Sequence, residues 1–206
     1  MKVAIIDYGA GNLPSVERAL QGLGAETERA TEARQVDMAK AIVLPGVGHF
    51  SAFVAGLRER NLTGALRDAY RAGVPILGIC LGLQALYDAS EEAPELSGLA
   101  LIHQTVCALP ANVKLPHMGW NQLCCATHSR LLDGIASDAH FYFAHSYAAC
   151  AIGNDSNVVA TCCHGRDFAA VIERKNIHAV QFHPEKSGQP GAQLLANFLG
   201  IAKAGA

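Results

Sequence analysis

Short, uninterrupted apolar runs alternate along the first part of the chain with stretches whose apolar positions recur every three or four residues. KVAIIDY (2–8), AIVLPG (41–46) and VPILGIC (74–80) are of the first kind: brief, rich in Val and Ile, and each followed by glycine and then a helical pattern. Continuous rather than alternating apolar character predicts strands buried on both faces, as in a parallel sheet covered by helices. In SVERALQGLG (15–24), Val16, Leu20 and Leu23 share one helical face and Gly24 suits the helix end. LGLQALYDASEE (81–92) also reads as helical, and AQLLANFLGIA (192–202) as an amphipathic covering helix.

Beyond residue 97 the pattern changes. LALIHQTVCAL (99–109), HFYFAHSYAAC (140–150), VVATCCH (158–164), FAAVIER (168–174) and IHAVQF (177–182) predict strands in quick succession, an antiparallel meander that extends the sheet. The expected class is therefore α/β, with a central, mostly parallel sheet and an antiparallel extension. No repeat, low-complexity tract or linker interrupts the chain. Its 206 residues, 50% of them hydrophobic, are enough to bury one full core, so a single domain over 1–206 is expected.

Charge narrows the partners. The formal net charge is -2 and no block of Lys or Arg occurs, which argues against a nucleic-acid partner. The N-terminal MKVAIIDYG has only four apolar residues before Asp7, too few for a signal-peptide core, and no run approaches membrane-spanning length. A soluble cytoplasmic protein is expected. The seven cysteines are an odd number without a regular framework and are read as reduced thiols. Cys124-Cys125 and Cys162-Cys163-His164 lack C-x-x-C spacing, and adjacent side chains on a strand diverge, so no metal is expected.

Three segments carry candidate chemistry. In Gly78-Ile79-Cys80-Leu81-Gly82, small residues two before and two after Cys80 fit a sharp strand-to-helix turn that presents a nucleophile. A free thiol is only a few per cent ionised at neutral pH, so such a cysteine needs the helix N-terminus or a basic neighbour. QFHPEKS (181–187) offers one: His183 and Glu185 are two apart and emerge on the same side if the segment is extended, a base with its orienting carboxylate. In LPGVGHF (44–50), Gly46, Val47 and Gly48 form a loop whose backbone N–H groups are free to face an oxyanion. Read singly, each segment has an ordinary alternative: a core cysteine, a surface histidine, a plain turn.

Together the three resemble the class I (triad) glutamine amidotransferases. DYGAGNLPSV (7–16), LPGVGHF, GICLGLQAL, SEE (90–92), PHMGWNQL (116–123), YFAHSY (142–147) and QFHPEKS also occur in the order seen in the glutaminase subunits of imidazole glycerol phosphate synthases. The resemblance implies a flavodoxin-like three-layer αβα fold without a cofactor. It implies L-glutamine as substrate, Cys80 as nucleophile, His183 as general base and acid, and Glu185 as its orienter. Val47 and Leu81 would donate backbone N–H groups to the oxyanion. Gln84, Glu92, Ser146 and Tyr147 match positions near bound glutamine, and Asn12, Trp120 and Lys186 match positions facing a cyclase subunit, the implied partner. Asn12 as a helix cap, Trp120 as core filling and Lys186 as a solvated charge are the plain alternatives.

Leu83 stands where the family often has Met, a near volume-neutral change. CCATHSR (124–130) and CCHGRD (162–167) depart further, and their thiols add sensitivity to oxidation. Three rival readings remain open at this point. They are a glutaminase serving another synthase, a cysteine hydrolase or peptidase of similar architecture, and a non-enzymatic flavodoxin-like module with an inert Cys80. No G-x-G-x-x-G fingerprint follows the first strand.

Overall fold

The computed structural model describes residues 1–125, 128–150 and 157–205; of Cys125 only the backbone is described. In chain order the elements are β1 (Lys2–Ile6), α1 (Leu13–Gly22), β2 (Glu26–Ala30), α2 (Ala33–Asp37), β3 (Ala41–Gly46), α3 (Phe50–Glu59), α4 (Leu62–Arg71), β4 (Ile76–Cys80) and α5 (Leu81–Gln84). There follow β5 (Tyr87–Ser90), β6 (Ile102–Ala108), β7 (His117–Gln122), β8 (Cys124–Cys125), β9 (His140–His145), β10 (Tyr147–Ala149), β11 (Val158–Cys163), β12 (Asp167–Arg174) and β13 (Ile177–Val180). A 3-10 turn at Pro184–Lys186 and α6 (Gly188–Ala204) complete the described chain.

The main sheet has the order β2-β1-β3-β4-β13-β12-β11-β8. Its first five strands are parallel and the remaining pairings antiparallel. The strand period of two sorts its side chains. Ala4, Ile6, Ile42 and Leu44 pack with Val36, Phe53, Leu57 and Leu66 of α2, α3 and α4. Val3, Ile5, Val43, Leu77 and Ile79 pack with Val16 and Leu20 of α1 and Leu194, Leu195 and Phe198 of α6. Helices thus cover both faces, which gives the expected three-layer α/β architecture. No helix among the described residues is long and apolar enough to cross a membrane.

Two expectations need correction. The helix over 81–92 stops at Gln84, because later chain takes over the backbone partners it would need. Leu99 N–H donates to Ala85 O at 2.7 Å, and Leu101 and Ile102 N–H both donate to Leu86 O. Residues 87–90 become β5, parallel to β6. Gly98 permits this approach, since a Cβ there would collide with the Tyr87 carbonyl oxygen. The antiparallel meander is also narrower than expected: only β8 and β11 to β13 extend the main sheet. The 99–109 segment joins a separate sheet of order β10-β6-β5, and 140–150 breaks at Ser146 between that sheet and a β7-β9 pair. These two small sheets form a wall beside the end of β4.

Candidate active site

Cys80 ends β4 with φ +54° and ψ −109°, a conformation strained for any residue with a side chain. Close packing holds it there. A Cβ on Gly82 would collide with the Leu44 carbonyl oxygen, and one on Gly46 would lie 2.7 Å from Gly82 N and from Leu81 Cβ. At Gly78 it would lie 3.0 Å from Gly82 O and Leu83 N. Glycine is required on both sides of the turn because two backbones meet there, and the strain is transferred to the one residue whose side chain must project. Cys80 itself is 5% exposed.

The His183 ring arrives from β13, the strand next to β4. Its Nδ1 is 2.9 Å from Glu185 Oε1, and the ring is 2% exposed. The segment is not extended as expected: Pro184–Lys186 is a 3-10 turn, which still brings Glu185 back to the ring. Ser187 pins the turn, donating to His183 O at 2.6 Å and accepting from Tyr142 N–H at 3.0 Å. His183 N–H donates in turn to Tyr142 O. Burial disfavours charge on the ring, but the neighbouring Cys80 and Glu185 favour it more and push His183 up to about 10.

Cys80, Leu81, Val47, Gly48, Gln84, Glu92, Ser146, Tyr147, His183 and Lys186 line one cavity of about 170 Å³, together with Ala144 and His145. Glu185 stands behind His183, its side chain 1% exposed. Gly46 lies beneath the turn, paired in register with Cys80. Gln84 donates to Tyr147 O at 2.7 Å and to Gln181 Oε1 at 3.2 Å, so its amide braces the wall. Glu92 Oε2 accepts from Phe50 N–H at 2.8 Å, tying the cavity to the start of α3. Among the described residues no group of three or more His, Cys, Asp or Glu could hold a metal ion.

The expectation for Val47 is corrected in one respect. Its N–H is not free: it donates to the Tyr8 hydroxyl at 3.0 Å, and that hydroxyl donates back to Val47 O at 2.9 Å. Tyr8 therefore holds both ends of residue 47 in this arrangement. Asn12 precedes α1 as its N-cap without a side-chain capping bond, and it lies outside the cavity lining. Trp120 is 56% exposed rather than core filling, and it packs edge-on against Tyr142, with Lys186 Nζ 5.6 Å from the same ring.

Sequence reasoning passed over four contributors. Gln181 reaches Cys80 Sγ at 3.6 Å, and Ser187 fixes the His183 turn; both lie inside the QFHPEKS motif already singled out. Tyr8 and His145 lie in DYG and YFAHSY, but nothing in either string marks a contact across the fold. His145 Nδ1 is 2.9 Å from Tyr147 O and its Nε2 is 3.1 Å from His117 Nδ1, while His117 Nε2 is 3.3 Å from Asn121 Nδ2. A carbonyl only accepts, so His145 carries its proton on Nδ1 and His117 on its own Nδ1, and both rings are satisfied while neutral. Burial pushes His145 down to about 3; burial and nearby His164 push His117 down to about 4. Within CCATHSR, Ala126, Thr127 and the side chain of Cys125 fall outside the described residues.

Residues 4–201 match the family described as glutamine amidotransferase class-I. A Moorella thermoacetica protein named imidazole glycerol phosphate synthase subunit HisH is 45% identical, over 95% of this chain and 93% of its own. One of the same name from Methanothermobacter thermautotrophicus is 48% identical over 98% of this chain and all of its own length. Among solved structures, one described as a glutamine amidotransferase superposes with TM-score 0.77 at 21% identity, covering 98% of both chains. PurLQS from Thermotoga maritima gives 0.76 at 18% identity, over 97% of this chain and 98% of that one. These two likenesses are of fold.

Proposed function

This chain belongs to the class-I glutamine amidotransferase family, and on that premise we propose that Cys80, His183 and Glu185 hydrolyse L-glutamine to glutamate and ammonia. Its role is that of the glutamine amidotransferase subunit of an imidazole glycerol phosphate synthase, in histidine biosynthesis. The 206 residues act as one such domain, in the cytoplasm. A single observation supports the chemistry most: one buried imidazole, hydrogen-bonded to a carboxylate, lines the same small cavity as a strained cysteine.

With the proton resident on His183, the Cys80 sulfur attacks the side-chain amide carbon of glutamine. The oxyanion is held by backbone N–H groups of Leu81 and, once it leaves Tyr8, Val47. His183 passes its proton to the departing nitrogen, and ammonia leaves a glutamyl thioester. Water activated by His183 then releases glutamate, while Glu185 keeps the ring oriented throughout. Ser146, Tyr147, Gln84 and Glu92 shape the glutamine site. Removing one oxyanion donor costs roughly 3 kcal/mol in comparable enzymes, so an occupied Val47 N–H keeps basal turnover low.

The partner is the cyclase subunit, docked on the side that presents Trp120, Lys186 and Asn12. Ammonia passes to it and is consumed in forming imidazole glycerol phosphate and an aminoimidazole carboxamide ribonucleotide. In the assembled complex, Cys80→Ala should abolish glutamine-supported cyclisation and leave cyclisation from added ammonium salts nearly intact. Equal loss from both nitrogen sources would remove Cys80 from the role given to it.

A further inference from the structure

We propose that Cys107 and Cys150 are a second reactive site, a thiol pair that a peroxide converts into a disulfide linking β6 to the exit of β10. Their sulfur atoms are 2.8 Å apart, inside the distance at which two non-bonded sulfurs rest. The placement comes from the sheet rather than from chance surface contact. β6 and β10 are antiparallel with Ala148 opposite Cys107 and Ala149 opposite Val106, so Cys150 follows diagonally from Cys107 on the same face. Cys150 is then anchored a second time by a bridge to Phe168 of β12. The sheet register thus holds the two sulfurs in reach of each other.

The two cysteines differ in access. Cys150 is 8% exposed, whereas Cys107 is half-buried and meets solvent, so a small oxidant reaches Cys107 first. Ionised Cys107 attacks one oxygen of the peroxide; the O–O bond breaks, giving a sulfenic acid and hydroxide, which is protonated to water. The Cys150 sulfur then attacks the sulfenic sulfur, forming the S–S bond, and the displaced hydroxide leaves as a second water with the Cys150 proton. Two thiols lose two electrons and two protons, and hydrogen peroxide takes up both. Burial first, then Cys150 and Glu91, push the Cys107 thiol up to about 11 against the pull of Arg166. Oxidation of the pair therefore accelerates as pH rises.

The link has a consequence for the cavity wall. Ser146 and Tyr147 lie just before Cys150, and Tyr147 O accepts from both Gln84 and His145. A covalent tie at the end of β10 fixes that wall to β6. The reduced full-length chain, treated with hydrogen peroxide at mildly alkaline pH, blocked with an alkylating reagent and digested in acid, tests the assignment by peptide mass. The expected product is a Cys107–Cys150 peptide pair lighter by two hydrogens, reversed by dithiothreitol and absent from both Cys107→Ala and Cys150→Ala. Oxidation of Cys80 in the same sample shows that peroxide reached the protein. If Cys107 and Cys150 are then both recovered alkylated, or Cys107 as sulfinic acid, or either linked to another cysteine, the proposal is overturned.

Discussion

On one side of the cavity, backbone packs on backbone: Gly46, Gly78 and Gly82 let β3, β4 and α5 close around Cys80 with no side chain between them. On the other side, side chains join β7, β9 and β10: His145 and Gln84 both donate to the Tyr147 carbonyl, and His117 donates to His145. The two sides also treat histidine oppositely. His183 is pushed up to about 10 by Cys80 and Glu185 against the cost of burial, while His145, in the same cavity lining, is pushed down to about 3 by burial. A ring that must carry a proton is given anions. A ring that must only hold a wall in place is given one acceptor and one donor, and stays neutral.

The backbone side is broken most severely by Gly82→Ala. The added Cβ meets the Leu44 carbonyl, and neither main chain can yield. A loss of about 3 kcal/mol or more is expected, read as a lowered urea midpoint; an unchanged midpoint would mean that the turn is not closely packed. Next comes Glu185→Gln, which leaves the shape and removes the charge that holds the ring. Turnover should fall by about 10²–10⁴-fold, with the His183 value lowered in an NMR titration. A variant that kept its rate would uncouple Glu185 from the chemistry.

A smaller effect, and in the opposite direction, is expected of Tyr8→Phe. It removes the hydroxyl that occupies Val47 N–H and O. Partner-free glutaminase turnover should rise about 2- to 10-fold, the equivalent of one neutral hydrogen bond of about 0.5–1.5 kcal/mol. A fall in rate would make Tyr8 a support for the active loop rather than a restraint.

A further effect lies in the pH dependence of stability. The ordinary histidine value is 6.5. His117 and His145 lie below it, so they contribute fully above pH 6.5, and that contribution is lost as pH falls towards 4 and 3. His183 lies above it, contributing fully below pH 6.5 and losing its contribution as pH rises towards 10. His117→Phe keeps the stack on Phe143 and His164 and should flatten only the acid side of a plot of urea midpoint against pH. Flattening on the alkaline side would contradict the assignment.

The same division explains what could be read from the sequence. β1, β3, β4, α1 and α6 are legible because burial on a two-sided sheet and a single helical face write themselves into the spacing of Val, Ile and Leu. The glycine pattern around Cys80 is legible for a similar reason: local close packing leaves a local mark. β2 carries no apolar run because it lies at the sheet edge. The 81–92 segment misleads because Ala85 and Leu86 give their carbonyls to residues 99–102, a non-local contact that no window of sequence contains. Tyr8 on Val47 and His117 on His145 are of the same non-local kind.

Labelling the chain with an electrophilic glutamine analogue, followed by peptide mass mapping, decides whether Cys80 and His183 act together. One adduct is expected, on Cys80, formed in the native chain and lost or slowed by orders of magnitude in His183→Ala. Adducts spread over Cys107, Cys124 and Cys163, or labelling of Cys80 that is indifferent to His183, would contradict it.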